Sequence, residues 1–176
     1  MYSGEVMLYN LTKHGNRKVI FILGKGRLLN QSIVSKKPNA LFCEAACPVQ
    51  VIEIAEKQFL QLMEQSHALT RSVLREYERN LWRMGHQLKN TTGNMQMERK
   101  IAAKLWKLGR DFGVDTEDGV MIDIDLTITL MADLVGAPRE NVSRACKVLT
   151  DRGLICYGNK RFILIDFDGL AKFYKM

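Results

Sequence analysis

Arg139, Glu140, Ser143 and Arg144 combine donors and acceptors at spacings that suit the edges of DNA bases. An arginine can donate two parallel hydrogen bonds to guanine O6 and N7, and a glutamate can accept one from the cytosine amino group. Residues three and four apart share a helix face, so these four side chains form one surface if the segment is helical. Thr127, Asn141, Lys147, Lys160 and Arg161 are of the types that contact phosphate oxygens, fixing register without reading sequence. The alternative is a solvated helix face with an incidental Glu140–Arg144 pair, worth a few tenths of a kcal/mol. What flanks the four residues decides between these readings.

The stretch TITLMADLVGAPRENVSRACKVLTDRGLI, residues 127–155, lays out two short amphipathic helices around a glycine. Thr127 is of the type that caps a helix N-terminus, and Leu130, Met131 and Leu134 recur on one face. Gly136 is the expected stop, and Pro138 stands where a first helical turn accepts proline. On the second helix Val142, Ala145, Cys146 and Leu149 form the packing face, with Glu140, Ser143, Arg144, Lys147 and Asp151 opposite and Arg139 at the edge. This is the pattern of a helix-turn-helix whose second helix enters the major groove.

The neighbouring segments supply a frame. Residues 99–109 read as a helix with Ile101, Ala102, Leu105, Trp106 and Leu108 as its apolar set. Residues 120–126 read as a short strand, and 153–165 as a hairpin turning at Gly158-Asn159. That hairpin would be a wing carrying Lys160 and Arg161 at its tip. Residues 166–174 read as a last short helix.

In the first third, VMLYNL, KVIFIL, LFCEAA and PVQVIEI read as antiparallel strands separated by turn formers. Gly24-Lys25-Gly26 is a turn rather than a phosphate loop, since no third glycine, Lys-Ser/Thr pair or helix start follows. A helix begins over 56–63. From Thr70 onward Leu74, Tyr77, Leu81, Met84, Leu88, Thr91 and Met95 recur in alternating steps of three and four. That heptad stripe predicts a coiled-coil seam and hence a homodimer, with packing inside one chain as the alternative. Gly93-Asn94 supplies a hinge. The expected organisation is 1–66 for the strands, 67–94 for the long helix and 95–176 for the winged module.

Composition narrows the function classes. The chain of 176 residues is 47% hydrophobic and 26% charged, as in ordinary globular proteins, and its formal charge of +7 favours a polyanionic partner. No apolar run approaches the ~20 residues that span a bilayer, and MYSGEVMLYN lacks a signal-peptide layout, so a cytoplasmic location without membrane contact is expected. Cys43, Cys47, Cys146 and Cys156 make no CxxC. On one extended strand Cys43 and Cys47 would lie ~13 Å apart, too far for a disulfide or a shared metal, so burial is the expected state of the cysteines and no metal site is expected. His14, His67 and His86 form no HExxH, and neither a nucleophile elbow nor a phosphate loop appears, which argues against an enzyme. The remaining competitor is a dimeric module whose winged helix docks on protein.

Strands, long helix, hinge and winged helix in this order resemble the cyclic-AMP receptor and fumarate-nitrate regulator (Crp/Fnr) family of bacterial transcription factors, over nearly the whole chain. The most specific match is the glycine turn followed by Arg-Glu-x-x-x-Arg, here Gly136, Arg139, Glu140 and Arg144. The resemblance implies an α+β chain with a partial antiparallel β-roll of the cyclic-nucleotide-binding kind, a long dimerisation helix and a C-terminal winged helix-turn-helix. It implies Arg139, Glu140, Ser143 and Arg144 as base readers on an inverted repeat with TGTGA- or TTGAT-like half-sites. Double-stranded DNA, a second copy of the chain, RNA polymerase and a small-molecule or redox effector of unknown identity are the implied partners. Against the family pattern, the resemblance implies that SGEVMLYN corresponds to the middle of the effector barrel, so that roughly its first half is expected to have no counterpart in this sequence. The nucleotide pocket also departs, with Leu29-Asn30-Gln31-Ser32 and Asn39-Ala40 where the cyclic-AMP branch has its Gly-Glu and Arg-Ser pairs. Gly85 and His86 stand where that branch touches the base. Without the arginine no countercharge meets a phosphate, so tight cyclic-AMP binding is not expected.

Overall fold

The computed structural model describes all residues except His14, Gln31, Lys36, Gly93, Asn94 and Met176, and leaves aside the side chains of Lys89 to Thr92. The Gly93-Asn94 hinge, Gln31 and the side chain of Thr91 therefore lie outside the described residues. The chain divides into two compact units, Met1–Asn10 with Ile20–Gly93, and Leu11–Val19 with Asn94–Met176.

In the first unit β1 (Val6–Leu11), β2 (Arg17–Leu23) and β3 (Phe42–Ala45) form a three-stranded sheet in the order β2-β1-β3, with β2 contributing Ile20 onward to this unit. β1 and β3 are antiparallel with Leu8 opposite Cys43. Val6, Leu8, Phe21 and Leu23 make the core of this sheet, with Met1, Ile20, Leu29, Leu41 and Val49 packed against it. Alternation along β1 and β2 places these side chains on one face. Gly26 has φ 79° in the turn after β2, the conformation that favours glycine there.

Two expectations fail here. PVQVIEI is not a strand: Gln50 bridges Ser3, while Val51, Ile52 and Ile54 are exposed. Alternating side chains make a strand only where a neighbouring backbone answers their N–H and C=O groups. The cysteines are also less buried than expected. Cys43 and Cys156 are exposed and Cys47 is half-buried, leaving only Cys146 in a core. Cys43 lies on β3, a short edge strand exposed on both faces. Cys47 sits after it, where its thiol donates to Glu5 Oε2 at 2.8 Å.

α1 (Glu56–Gln65) leads into α2 (His67–Thr92) through Ser66, whose hydroxyl accepts from Leu69 N. Thr70 donates to Met63 O at 2.6 Å, so the first residue of the heptad series serves this junction rather than a seam. One face of α2 meets the sheet. Val73 is buried, Gln87 donates to Ile20 O at 2.9 Å, and the Arg83 guanidinium lies 5.9 Å from the Phe21 ring centroid. Glu76 pairs with Arg27 at 2.7 Å.

The second unit is built on α3 (Met97–Phe112), whose Ile101, Ala102, Leu105 and Leu108 are buried at helical spacing. A four-stranded antiparallel sheet follows, of β4 (Gly113–Thr116), β5 (Gly119–Ile122), β6 (Ile155–Gly158) and β7 (Arg161–Leu164) in the order β4-β5-β7-β6. Between β5 and β6 lie α4 (Ile128–Val135) and α5 (Arg139–Asp151), and α6 (Phe167–Lys175) closes the chain. β4 was not expected from the sequence. At its start an added Cβ on Gly113 would come within 2.0 Å of Gly109 O, so the helix turns directly into the strand only because this residue has no side chain.

Candidate nucleic-acid interface

The two helices expected around Gly136 are present. Thr127 Oγ1 accepts from Leu130 N at 3.0 Å, satisfying one of the first-turn amides of α4. Gly136 ends that helix at φ 72° and ψ 49°, and its N–H returns to Ala132 O at 2.8 Å. An L side chain in this left-handed conformation costs ~1–2 kcal/mol, which explains the glycine. Pro138 stands at the N-cap of α5 rather than inside its first turn. Its carbonyl accepts from Asn141 N and Val142 N, and no side chain caps the helix. The positive end of the helix dipole is thus left uncompensated by a cap, beside Arg139 and Glu140.

Along α5, Val142, Ala145, Cys146 and Leu149 are buried, as the helical wheel requires. On the other side Arg139, Glu140, Ser143, Arg144 and Lys147 are all exposed. The structure therefore brings the four candidate base readers onto one solvent-facing surface, together with Lys147. The incidental Glu140–Arg144 ion pair does not form. Arg144 Nη2 instead donates to the side-chain oxygen of Asn141, a neutral partner.

The wing is formed by β6 and β7. Its two-residue turn is Asn159-Lys160, at φ 50° and 60°, one residue later than the Gly158-Asn159 turn expected. Two successive left-handed residues are what a tight hairpin needs to match strand twist. The tip is anchored from behind, since Leu126 N donates to Lys160 O at 2.7 Å. This bond ties the wing to the residue preceding the Thr127 cap. Lys160 itself is exposed, whereas Arg161 forms ion pairs with Asp123 and with Asp125, the latter at 3.8 Å. The acidic residues ahead of α4 thereby hold the wing arginine, an arrangement that sequence reading did not find because the partners are about forty positions apart.

Lys18 was also missed. Within the second unit its Nζ donates to Leu134 O at 2.8 Å, and Arg17 pairs with Asp133 at 3.8 Å. Burial, then the nearby Lys100 charge, lower the Lys18 pKa, while Asp133 raises it. An ammonium at the C-terminal end of α4 meets the negative end of that helix.

Burial pushes the Cys146 thiol up to about 11 from an ordinary 9.0. The unfolded chain releases this proton first as pH rises, so the thiol's contribution to stability is complete below about 9 and lost as pH passes about 11. Urea midpoints measured across that interval are expected to fall more steeply for the natural chain than for Cys146→Ala. Equal slopes would show that the thiol is not the source.

On α2 the heptad residues Leu74, Tyr77, Leu81, Met84 and Leu88 are exposed, Leu81 at 73% and Leu88 at 66%. Met95, beyond the helix, is half-buried. His86 is exposed and lies against the Trp82 ring, 3.9 Å between centroids. Among the described residues no group of three His, Cys, Asp or Glu side chains is placed to hold a metal ion, and no helix is long and apolar enough to cross a membrane.

Comparison with known proteins matches this geometry. Residues 99–173 fit the model of the Crp-like helix-turn-helix domain. The chain is 23% identical over 171 residues, 97% of its length and 76% of the relative's, to a CRP-like cAMP-activated global transcriptional regulator of Mycobacterium tuberculosis. It is 23% identical to a global nitrogen regulator of Nostoc, over 92% of this chain and 73% of that one. Among solved structures, a CRP/FNR-family transcriptional regulator from Thermus thermophilus superposes with a TM-score of 0.78 at 20% identity, covering 99% of this chain and 85% of the other.

Proposed function

We propose that the chain, whose residues 99–173 fit the Crp-like helix-turn-helix domain, belongs to the Crp/Fnr family and is a homodimeric, sequence-specific DNA-binding transcription regulator acting in the cytoplasm. The observation that carries this reading is α5, whose apolar face is wholly buried while Arg139, Glu140, Ser143 and Arg144 are exposed together on the other. Those four residues read bases in the major groove. Thr127, Asn141, Lys147, Lys160 and Arg161 meet the phosphates, Arg161 after exchanging its carboxylate partners for them. Two such helices in a two-fold dimer sit ~34 Å apart and read an inverted repeat with TGTGA- or TTGAT-like half-sites.

The organisation that serves this is a strand domain over 1–66, a dimerisation helix over 67–94 and the winged module over 95–176. Leu74, Tyr77, Leu81, Met84, Leu88, Thr91 and Met95 make the dimer seam. The strand domain biases the spacing of the two winged modules in response to an effector other than cyclic AMP. Such a switch requires the effector to bind one dimer geometry more tightly than the other. RNA polymerase is the further partner a promoter-bound regulator of this kind would meet.

A titration of the purified chain against a TGTGA/TCACA inverted repeat and a scrambled duplex, at several salt concentrations, tests the proposal. Specific binding that weakens steeply with salt supports it, because each phosphate neutralised releases counterion. Arg144→Ala is expected to cost about 1–3 kcal/mol on the repeat and to relax base preference, while Lys160→Ala weakens repeat and scrambled DNA alike. Equal effects of the two substitutions on both duplexes would instead favour protein docking by the winged module.

A further inference from the structure

The contact between Arg144 and Asn141 joins two side chains of one helix and ties α5 to no other element. Arg144 is exposed, and the bond spans one turn of the same helix. A carboxylate one position earlier, Glu140, is at the i, i+4 spacing that favours an ion pair, yet the guanidinium goes to the neutral amide. A guanidinium can only donate, so the Asn141 atom facing it must be the oxygen, and the amide NH2 is turned away. Nη2 carries two hydrogens. One is used on Asn141, which leaves the other, with Nη1 or Nε beside it, for two-point donation to guanine O6 and N7.

We infer that Asn141 is a positioning residue for base recognition, holding the Arg144 guanidinium in the orientation that meets guanine. This rests on the DNA-reading function proposed above. A long arginine side chain free in solvent must surrender its rotamer freedom when it docks, and a side chain already oriented surrenders less. A carboxylate could orient it equally well, but would cancel the charge that attracts DNA and add a negative group facing phosphate. The amide orients without neutralising. Glu140 is thereby left to accept from cytosine, and the Asn141 NH2 is directed away from Arg144 and can donate to a phosphate oxygen. One residue then links the register on the backbone to the reading of a base.

The experiment is selection of binding sites from a randomised duplex library by the full-length chain and by Arg144→Ala, Asn141→Ala and Asn141→Asp. Arg144→Ala is expected to lose preference at one base pair of each half-site by ~10-fold or more. Asn141→Ala should lose preference at that same pair by roughly threefold, a part of the Arg144 effect, with the other positions unchanged. Alanine favours helix, so folding is not at risk. Asn141→Asp, which keeps an acceptor, should restore the preference while binding all DNA less tightly. If Asn141→Ala weakens every duplex equally with the base preference intact, Asn141 is a phosphate contact only and the inference is wrong. A natural chain that selects no repeat overturns the DNA-reading proposal and this inference together, whereas specific selection untouched by Asn141→Ala sinks the positioning role alone.

Discussion

Replacing Leu81 and Leu88 together by aspartate is expected to yield a monomer in sedimentation at micromolar concentration and to reduce binding to an inverted repeat by at least ~100-fold. Both leucines are exposed in the single chain, at 73% and 66%, and they stand one heptad apart in the series. Burying each against a partner would contribute ~1.5–3 kcal/mol, and a two-fold seam contains four of them. Aspartate removes that contribution and places four like charges in the seam, where unpaired charge is costly. Specific affinity falls when dimerisation is lost, because a lone module engages one half-site, and binding then approaches the non-specific range of ~10⁻⁴–10⁻⁶ M. The sheet-facing side of α2, with Arg83 and Gln87, and the buried Val73 are untouched, so the far-ultraviolet dichroism should not change. A double variant that stays dimeric would place the seam elsewhere. A monomer that still binds the repeat at full strength would remove the need for a dimer.

Phe162→Ala is expected to destabilise the second unit by about 3–5 kcal/mol, the range for deleting a fully buried ring. Phe162 is completely buried on β7, its ring 4.5 Å from that of Tyr157 across the hairpin. It belongs to a core that also contains Ile155, Leu149, Leu164 and Leu170, all fully buried, and the tip of the same hairpin carries Lys160. The loss is a large part of the ~5–15 kcal/mol that holds a typical domain together. Urea unfolding followed by Trp106 fluorescence reads this unit, because Trp106 lies on α3 against the Phe167 ring at 5.8 Å. The measurement is made with Trp82, the other tryptophan, changed to phenylalanine. A loss below about 1 kcal/mol would mean that the hairpin is not packed on this core as described.

How much of this is legible in the sequence depends on how local the determining forces are. α5 can be assigned from Val142, Ala145, Cys146 and Leu149, because a helix with one buried stripe writes its period into a dozen consecutive residues. Gly136 can be read for the same reason, since the requirement for a left-handed residue is satisfied at one position. The exposed quartet on α5 then follows from the wheel. PVQVIEI misleads because alternation states only that a strand would suit the side chains, and whether a partner backbone lies alongside is not a local property. Cys43 misleads likewise, its exposure depending on what covers β3. β4 escapes notice because its four residues, Gly-Val-Asp-Thr, carry no apolar pattern, and its existence rests on pairing with β5.

The sequence by itself determined the helical architecture of the winged module, the shared exposed face of Arg139, Glu140, Ser143 and Arg144, and the apolar heptad along α2. These are properties of residues within one or two turns of each other, where backbone geometry fixes which side chains share a face. Only the tertiary structure decided that Arg161 is held by Asp123 and Asp125, that Leu126 anchors the wing through Lys160, that Lys18 meets the end of α4, and that Arg144 chooses Asn141 over Glu140. The first three join groups far apart in the chain, and the last is a choice between two partners that sequence spacing allows equally. Hydrogen bonds and ion pairs are settled by distance and angle within a few tenths of an ångström, and those distances come into being only when the chain has folded.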